Sequence, residues 1–424
     1  MLQTIAAPST LTWLIAALTA LGVITRPFGW PEAIWAVLGA GLVVALGLLA
    51  PMDAWSGILK GLDVYLFLIG MMLLSELARQ EGLFDWLAAI ATSHARGSPK
   101  RLFALIFGVG IVVTAFLSND ATAVVLTPAV YAACRAARVK QPLPYLLICA
   151  FIANAASFVL PISNPANLVI FGGGEMPPLA TWLKTFTLPS IAAIAATYAA
   201  LYWTQRRVLA ADTVATHVES PYLSAAAKVA GVGLVLTAAG LIATSALGAD
   251  LGLPTFVAGL LTLLLIVLVN RESPVAVLRH VSWSVLPLVA GLFVVVEALD
   301  NTGLIRQLAA ELRRFAAQAP QQTAFGAGLL VALASNLVNN LPAGLVAGSA
   351  VQAAEASPTI AGAILIGVDL GPNLSVTGSL ATILWLTALR REGLHVGAWQ
   401  FLKLGIVVMV PALLLSLGAL LLIG

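Results

Sequence analysis

Gly70-Met-Met-Leu-Leu-Ser-Glu76-Leu-Ala-Arg-Gln-Glu-Gly82-Leu83-Phe-Asp-Trp-Leu87-Ala88-Ala89 is matched later in the chain by Gly291-Leu-Phe-Val-Val-Val-Glu297-Ala-Leu-Asp-Asn-Thr-Gly303-Leu304-Ile-Arg-Gln-Leu308-Ala309-Ala310. Seven residues recur at one offset of 221 positions, and Asn119 returns as Asn340 at the same offset. Asn154 and Asn164 map onto Asp369 and Ser379 at an offset of 215, the difference being absorbed in one loop. Each copy contains an odd number of apolar crossings, so the second must insert upside down relative to the first. Inverted copies with polar, helix-breaking segments at matching places are the architecture of secondary transporters.

Composition supports a membrane chain. The sequence is 60% hydrophobic and 9% charged, with a mean hydropathy of +1.01, against roughly 25% charged in an average soluble domain. Uncharged runs such as 33–52 and 229–249 are long enough to cross a hydrocarbon core of about 30 Å. The first apolar stretch, Leu11 to Val23, has no basic residue before it and reads as a first membrane helix, not a cleaved leader. Two cysteines, Cys134 and Cys149, are too few for a disulfide framework and read as free thiols. No zinc-type spacing, phosphate-cradling glycine loop or aromatic-basic groove is present. Metal, cofactor, ATP hydrolysis by this chain and nucleic acid are therefore not expected, and His94, His217, His280 and His395 all fall in predicted loops.

The predicted fold is an all-α polytopic membrane protein of two inverted-topology repeats, each with a re-entrant helical hairpin and a broken transmembrane helix. Crossings are expected near 10–25, 32–50, 62–80, 143–171, 184–205, 225–247, 254–270, 281–300, 359–387 and 398–423. The segments 101–135 and 322–353 are pairs of short apolar arms around polar tips, too short for comfortable spans, and read as the hairpins. Amphipathic stretches 83–95 and 304–317 precede them and are expected along the membrane faces. The repeats occupy 1–205 and 225–424, joined by a cytoplasmic linker at 206–224. With both termini outside, 16 of the 21 Lys and Arg fall on inner segments and 5 on outer ones, which favours that orientation.

Polar residues cluster at four intramembrane places. The first hairpin tip reads Ser118-Asn119-Asp120, and the following crossing is interrupted at Asn154-Ala-Ala-Ser157 and at Ser163-Asn164-Pro165-Ala-Asn167. The second tip reads Asn339-Asn340-Leu-Pro342, and its following crossing is interrupted from Asp369 through Gly371-Pro372-Asn373 to Thr377-Gly378-Ser379. Breaking a helix in lipid frees backbone groups that lipid cannot satisfy, so such breaks persist where they line a cavity. The candidate solute-binding residues are Ser118, Asn119, Asn154, Ser163, Asn164, Asn339, Asn340, Thr377 and Ser379. Asp120 and Asp369 are the candidates for proton coupling, because a carboxylate at membrane depth requires a functional reason. Glu76 and Glu297 lie near helix ends with Arg79 and Arg306 in reach, and read as structural. The aspartyl-protease pattern Gly-x-Gly-Asp is missing around Asp369, and no enzyme chemistry is expected.

The stretch Gly367-Val-Asp-Leu-Gly-Pro-Asn-Leu-Ser-Val-Thr-Gly-Ser-Leu-Ala-Thr-Ile-Leu-Trp-Leu386 resembles the arsenite efflux permease family (ArsB type) of the ion transporter superfamily. Leu117-Ser-Asn-Asp-Ala-Thr-Ala-Val-Val-Leu-Thr-Pro128 and Asn339-Asn-Leu-Pro342 are similar to that family's hairpin tips. The resemblance runs over nearly the whole chain. It implies export of arsenite and antimonite, as neutral trihydroxides, in exchange for protons across a bacterial inner membrane. It also implies a separate ATPase subunit as a partner in some members, and a homodimer is a further candidate assembly. A sodium/proton antiporter and a dicarboxylate-like anion carrier of the same superfamily are the alternatives. Dicarboxylate carriers have Ser-Asn-Thr at both tips, where this chain has Asp120 and Leu341. A carboxylate about 4 Å from a dianion is repelled by several kcal/mol at an effective dielectric near 20, so the sequence favours a neutral solute.

Overall fold

The computed structural model describes residues 3–171, 176–215, 222–271 and 273–424, and all regular structure among them is helical. Two N-terminal helices, α1 (Gln3–Thr25) and α2 (Glu32–Ala45), lead into α3 (Pro51–Lys60) and α4 (Leu62–Gln80), the last two meeting at 49°. A turn at Gly82 opens α5 (Leu83–His94). The first hairpin follows as α6 (Pro99–Phe116), α7 (Asn119–Ala121), one π-helical turn and α8 (Thr127–Ala136). Next come α9 (Leu143–Ala155) and α10 (Pro165–Phe171), the two parts of a broken helix, and then α11 (Leu179–Ala211).

The second half repeats the order. It runs α12 (Ala225–Ala246), α13 (Gly252–Asn270), a short α14 (Val275–His280), α15 (Val285–Asn301) and α16 (Leu304–Gln318), with α15 and α16 bent by 72°. The second hairpin is α17 (Pro320–Val338) and α18 (Asn340–Ala354). The second broken helix is α19 (Pro358–Leu370) and α20 (Leu380–Arg391), and α21 (Ala398–Ile423) ends the chain. Among the described residues, five helices are individually long and apolar enough to cross a membrane, and the two bent pairs raise the number to seven if each is one span.

Most matched residues of the two copies do the same local work. Gly70 lets α4 lie against α13, where a Cβ would stand 2.3 Å from the Thr255 carbonyl oxygen. Gly291 lets α15 lie against α2, where a Cβ would stand 2.7 Å from the Ala36 backbone. The α4–α13 pair runs parallel and is fastened at both ends. Asp63 accepts from the Gly252 amide at 2.7 Å, and Glu81 accepts from Asn270 at 2.9 Å. Gly82 and Gly303 adopt positive φ (74° and 86°) where α4 and α15 end, a conformation that favours glycine. Ala88 of α5 and Ala309 of α16, the helices that follow, are wholly buried. Glu76 pairs with Arg79 at 2.5 Å. Glu297 departs from expectation: its partner is Lys60 at 2.6 Å, not Arg306, because the α3–α4 bend brings Lys60 across.

Other sequence boundaries also shift. The expected crossing at 32–50 stops at Ala45 in a tight turn before Pro51. The linker begins later than residue 206, since α11 stays helical to Ala211; the linker positions 216–221, with His217, lie outside the described residues. His94 and His280 end helices α5 and α14 and do not sit in loops, their Nδ1 atoms lying 2.9 and 2.7 Å from the Ile90 and Ala276 carbonyl oxygens. His395 is in a loop as read. Pro189 interrupts α11, and Ser416 of α21 donates to its carbonyl at 2.8 Å.

The glycine contacts give a direct stability test. Gly70→Ala and Gly291→Ala should each lower stability by about 1–3 kcal/mol through overpacking, read as an earlier thermal transition of detergent-solubilised protein. Gly41→Ala, where a Cβ meets nothing within 4 Å, should leave the transition unchanged.

Candidate functional site

The site is built from places where helices stop. The first hairpin turns at Leu117 and Ser118; Ser118 is extended, and its hydroxyl accepts from the Ala121 amide at 3.1 Å, capping the second arm. The Asn119 side chain accepts from the Asp120 amide at 2.9 Å. A hydroxyl pair, Thr114 and Thr122 at 2.8 Å, clamps the arms just below the tip.

The second hairpin turns at Asn339, whose φ of 74° and ψ of 154° lie in a region other residues leave to glycine. Such a backbone costs on the order of 1–3 kcal/mol. It persists because the tip is stitched to the loop of the second broken helix. The Asn340 amide donates to the Gly378 carbonyl at 2.9 Å, and Asn339 donates to the Thr377 carbonyl at 3.3 Å. Asn336, one turn below, donates to Gly371 at 2.9 Å and accepts from Ser375 at 2.7 Å.

Both helix breaks satisfy their freed backbone with side chains. At the first, Asn167 donates to the Ser157 carbonyl at 2.9 Å and the Trp182 indole donates to Phe158 at 3.1 Å. Ser163 donates to the Ala115 carbonyl of the first hairpin at 2.9 Å. At the second, Ser379 accepts from the Thr382 amide at 3.1 Å and so caps α20. Asn164 does the equivalent for α10, accepting from the Ala166 amide at 3.0 Å.

Side chains of the two breaks meet each other. Asn154 donates to Asn373 at 2.9 Å, and Asn373 donates to the Phe151 carbonyl at 3.0 Å. Asn164 donates to Asp369 at 2.7 Å. Asp369 is fully buried, and its second carboxylate oxygen has no partner; the Asn154 side-chain oxygen is likewise unpaired.

A small, tightly closed cavity lies where the helices stop, and its polar lining is Asn119, Asp120, Asn164, Asn340 and Ser379. Four helical segments begin at it, namely α7, α10, α18 and α20. Their N-termini add partial positive charge. Asp120, in the first turn of its segment, is half-buried and lines the same space. The remaining wall is apolar: Leu68 from α4 and Val285 and Val289 from α15 close it opposite the tips.

Of the eleven candidate residues, five therefore share this lining. Asp369 stands one hydrogen bond behind it through Asn164. Ser118, Ser163 and Thr377 spend their hydroxyls on a cap and backbone carbonyls, Asn154 donates to the Asn373 side chain, and Asn339 lines a neighbouring cavity. Cys134 and Cys149 are buried and line neither. Sequence pattern alone does not single out Leu68, Val285 or Val289, since nothing distinguishes them from other apolar helix positions. The role of Asn373 has a signal, its match to the polar first break, but not a geometry.

Residues 20–368 match the citrate transporter family profile (CitMHS). The arsenical pump membrane protein of Escherichia coli K12 is 30% identical, the alignment covering 96% of this chain and 97% of that protein. Among solved structures, the YdaH transporter of Alcanivorax borkumensis superposes with a TM-score of 0.59 at 16% identity, over 98% of both chains. MtrF of Neisseria gonorrhoeae gives 0.52 at 12% identity, over 98% of this chain and 94% of its own. These two share the fold. By its profile match and its near full-length likeness to an arsenical pump, the chain is a multi-pass membrane transporter and belongs to the arsenite permease family (ArsB type) of the ion transporter superfamily.

Proposed function

We propose that this transporter exports trivalent arsenic and antimony from the cytoplasm as neutral trihydroxides, in exchange for protons, with the central cavity as its solute site. The observation that supports this reading most is the lining of that cavity. Three asparagines, a serine and one carboxylate surround it, in a chain related almost end to end to an arsenical pump membrane protein. Amide and hydroxyl groups both donate and accept, which suits a solute carrying several hydroxyls and no charge.

In this reading the chain is two inverted repeats, 1–205 and 225–424, whose re-entrant hairpins enter from opposite faces of a bacterial inner membrane, with both termini outside. Asn119, Asn164, Asn340 and Ser379 hydrogen-bond the solute's hydroxyls, and Asn154 braces the two breaks against each other. Asp120 exchanges a proton in direct view of the solute. Asp369 does so behind it: a proton added to its unpartnered oxygen breaks no existing hydrogen bond. Its charge state then reaches the cavity through Asn164.

A second reading has its own support. The match to the citrate transporter family and the four helix N-termini favour an anion. Asp120 opposes it, since a carboxylate beside a multiply charged anion is repelled unless a cation or proton intervenes. Everted membrane vesicles decide between the two. Arsenite should accumulate when the lumen is acid and stop when the pH gradient is collapsed; citrate uptake without arsenite uptake would end the proposal.

The residues divide the test further. Asn119→Ala, Asn340→Ala and Ser379→Ala should each raise the arsenite concentration for half-maximal transport by about two- to tenfold, the worth of one hydrogen bond. Asp120→Asn and Asp369→Asn should abolish the response of uptake to the pH gradient in at least one of the two; full proton-coupled transport in both would remove the carboxylates from the mechanism. A Cys134→Ala/Cys149→Ala double variant should transport at near wild-type rate, because neither thiol reaches the cavity. Loss of transport in that folded variant would point instead to thiolate binding of the metalloid.

A further inference from the structure

A second, narrow cavity, closed down to about the size of a water molecule, adjoins the central one at the tip of the second hairpin. Its polar lining is Glu32 and Asn339; Leu292 and Ile383 are among its apolar walls. Leu341 and Leu380 line both cavities and stand between them. At the start of α2, Glu32 is ion-paired with Arg26. The pair is mostly withdrawn from water, with side-chain exposures of 13% and 25%. Arg26 holds its position from a left-handed backbone, φ 46°, which is uncommon for a residue with a side chain.

A withdrawn ion pair is weak evidence of stabilisation, since desolvating two charges offsets their attraction. It is better explained by what it covers. We infer that the second cavity is a vestibule between the central cavity and the membrane face that carries residues 26–31. Leu341 and Leu380 form its apolar septum, and the Arg26–Glu32 pair is the latch at its mouth. Apolar side chains lining both cavities exclude water from a narrow passage, which is how hydrophobic constrictions hold a pathway shut. Asn339 gives the passage one polar group at the septum itself. Leu341 and the strained Asn339 belong to one tip, residues 339–341, so a shift of that tip away from Leu380 of α20, releasing its hydrogen bonds to Thr377 and Gly378, joins the cavities. The inference rests on the transport reading, and it assigns Glu32, Arg26, Leu341 and Leu380 to the route of the solute instead of to its binding.

Thiol accessibility tests it independently of solute identity. In the cysteine-free background, Phe28→Cys, at an 85% exposed position in the 26–31 loop, marks the face. Ile383→Cys reports the vestibule and Ala381→Cys the central cavity. A small membrane-impermeant methanethiosulfonate is applied to either side of sealed vesicles. Ile383→Cys should react from the same face as Phe28→Cys, and about threefold faster once Glu32→Gln opens the latch. Ala381→Cys should be slow from that face and about tenfold faster when either Leu341→Ala or Leu380→Ala is added. The two leucine variants are independent, and size-exclusion profiles confirm which are folded.

The inference is overturned if Ile383→Cys fails to react from the Phe28 face even with Glu32→Gln, or if neither folded leucine variant speeds Ala381→Cys. Reaction of Phe28→Cys from outside the cell would instead reverse the proposed membrane orientation while leaving the vestibule intact, provided Ile383→Cys follows it. Absence of arsenite uptake would end the substrate reading without touching the labelling result.

Discussion

A helix interrupted in hydrocarbon must find partners for every backbone group it frees, and this constraint organises the protein. Each uncompensated amide or carbonyl costs several kcal/mol in lipid, so the breaks at 156–164 and 371–379 exist only because side chains complete them. Asparagine does most of this work, because one amide supplies both a donor and an acceptor. Asn167, Asn336, Asn339 and Asn373 each donate to a carbonyl at a hairpin tip or break, or on a neighbouring turn. Asn164 caps α10 while reaching Asp369. The polar cavity is what is left over: the helix N-termini and the few side chains whose hydrogen-bonding capacity the backbone does not consume.

That division explains which polar residues face the cavity and which do not. Ser163 and Thr377 look equivalent to Asn164 and Ser379 in sequence, yet their hydroxyls close on the Ala115 and Asn336 carbonyls. Asn119, Asn340 and Ser379 begin helical segments at the cavity, so their local geometry aims them at it. The electrostatic character of the space is a contest between four N-terminal dipoles and one carboxylate. Partial charges of about half a unit at each of the four helix ends exceed the single charge Asp120 can offset, so the carboxylate tempers the field of the N-termini without reversing it.

Much of the fold was legible in the sequence because the repeat repeats constraints, not only letters. The glycines at 70 and 291 mark helix crossings, those at 82 and 303 mark positive-φ turns, and both glutamates are ion-paired. Hairpin tips and breaks were legible for the same reason: lipid tolerates polar residues with proline inside an apolar run only where the helix stops against protein. What was not legible depends on distance in space. The partner of Glu297 is 237 positions away, and no spacing rule reaches it. The extent of α11 was hidden because amphipathic polar residues after Gln205 read as linker while the helix simply continues into them. The apolar wall from Leu68, Val285 and Val289 carries no signal at all until α4 and α15 are brought together.

The two intramembrane carboxylates stand in different relations to the solute site, and the difference has mechanistic weight. Asp120 lines the cavity, so any change in its charge alters the field a solute meets there directly. Asp369 is walled off, with one oxygen on Asn164 and the Ser157 hydroxyl beside the carboxylate. Its influence must pass through the orientation of a single amide, and that amide also caps the N-terminus of α10. Rotating Asn164 to follow a change at Asp369 would uncap a helix end at the cavity and withdraw a donor from it. In the proposed mechanism a proton at Asp120 would act by contact, whereas a proton at Asp369 would act by rearranging the scaffold that presents Asn164. Coupling through the second route requires no competition between proton and solute for the same atoms, only that both read the position of one side chain.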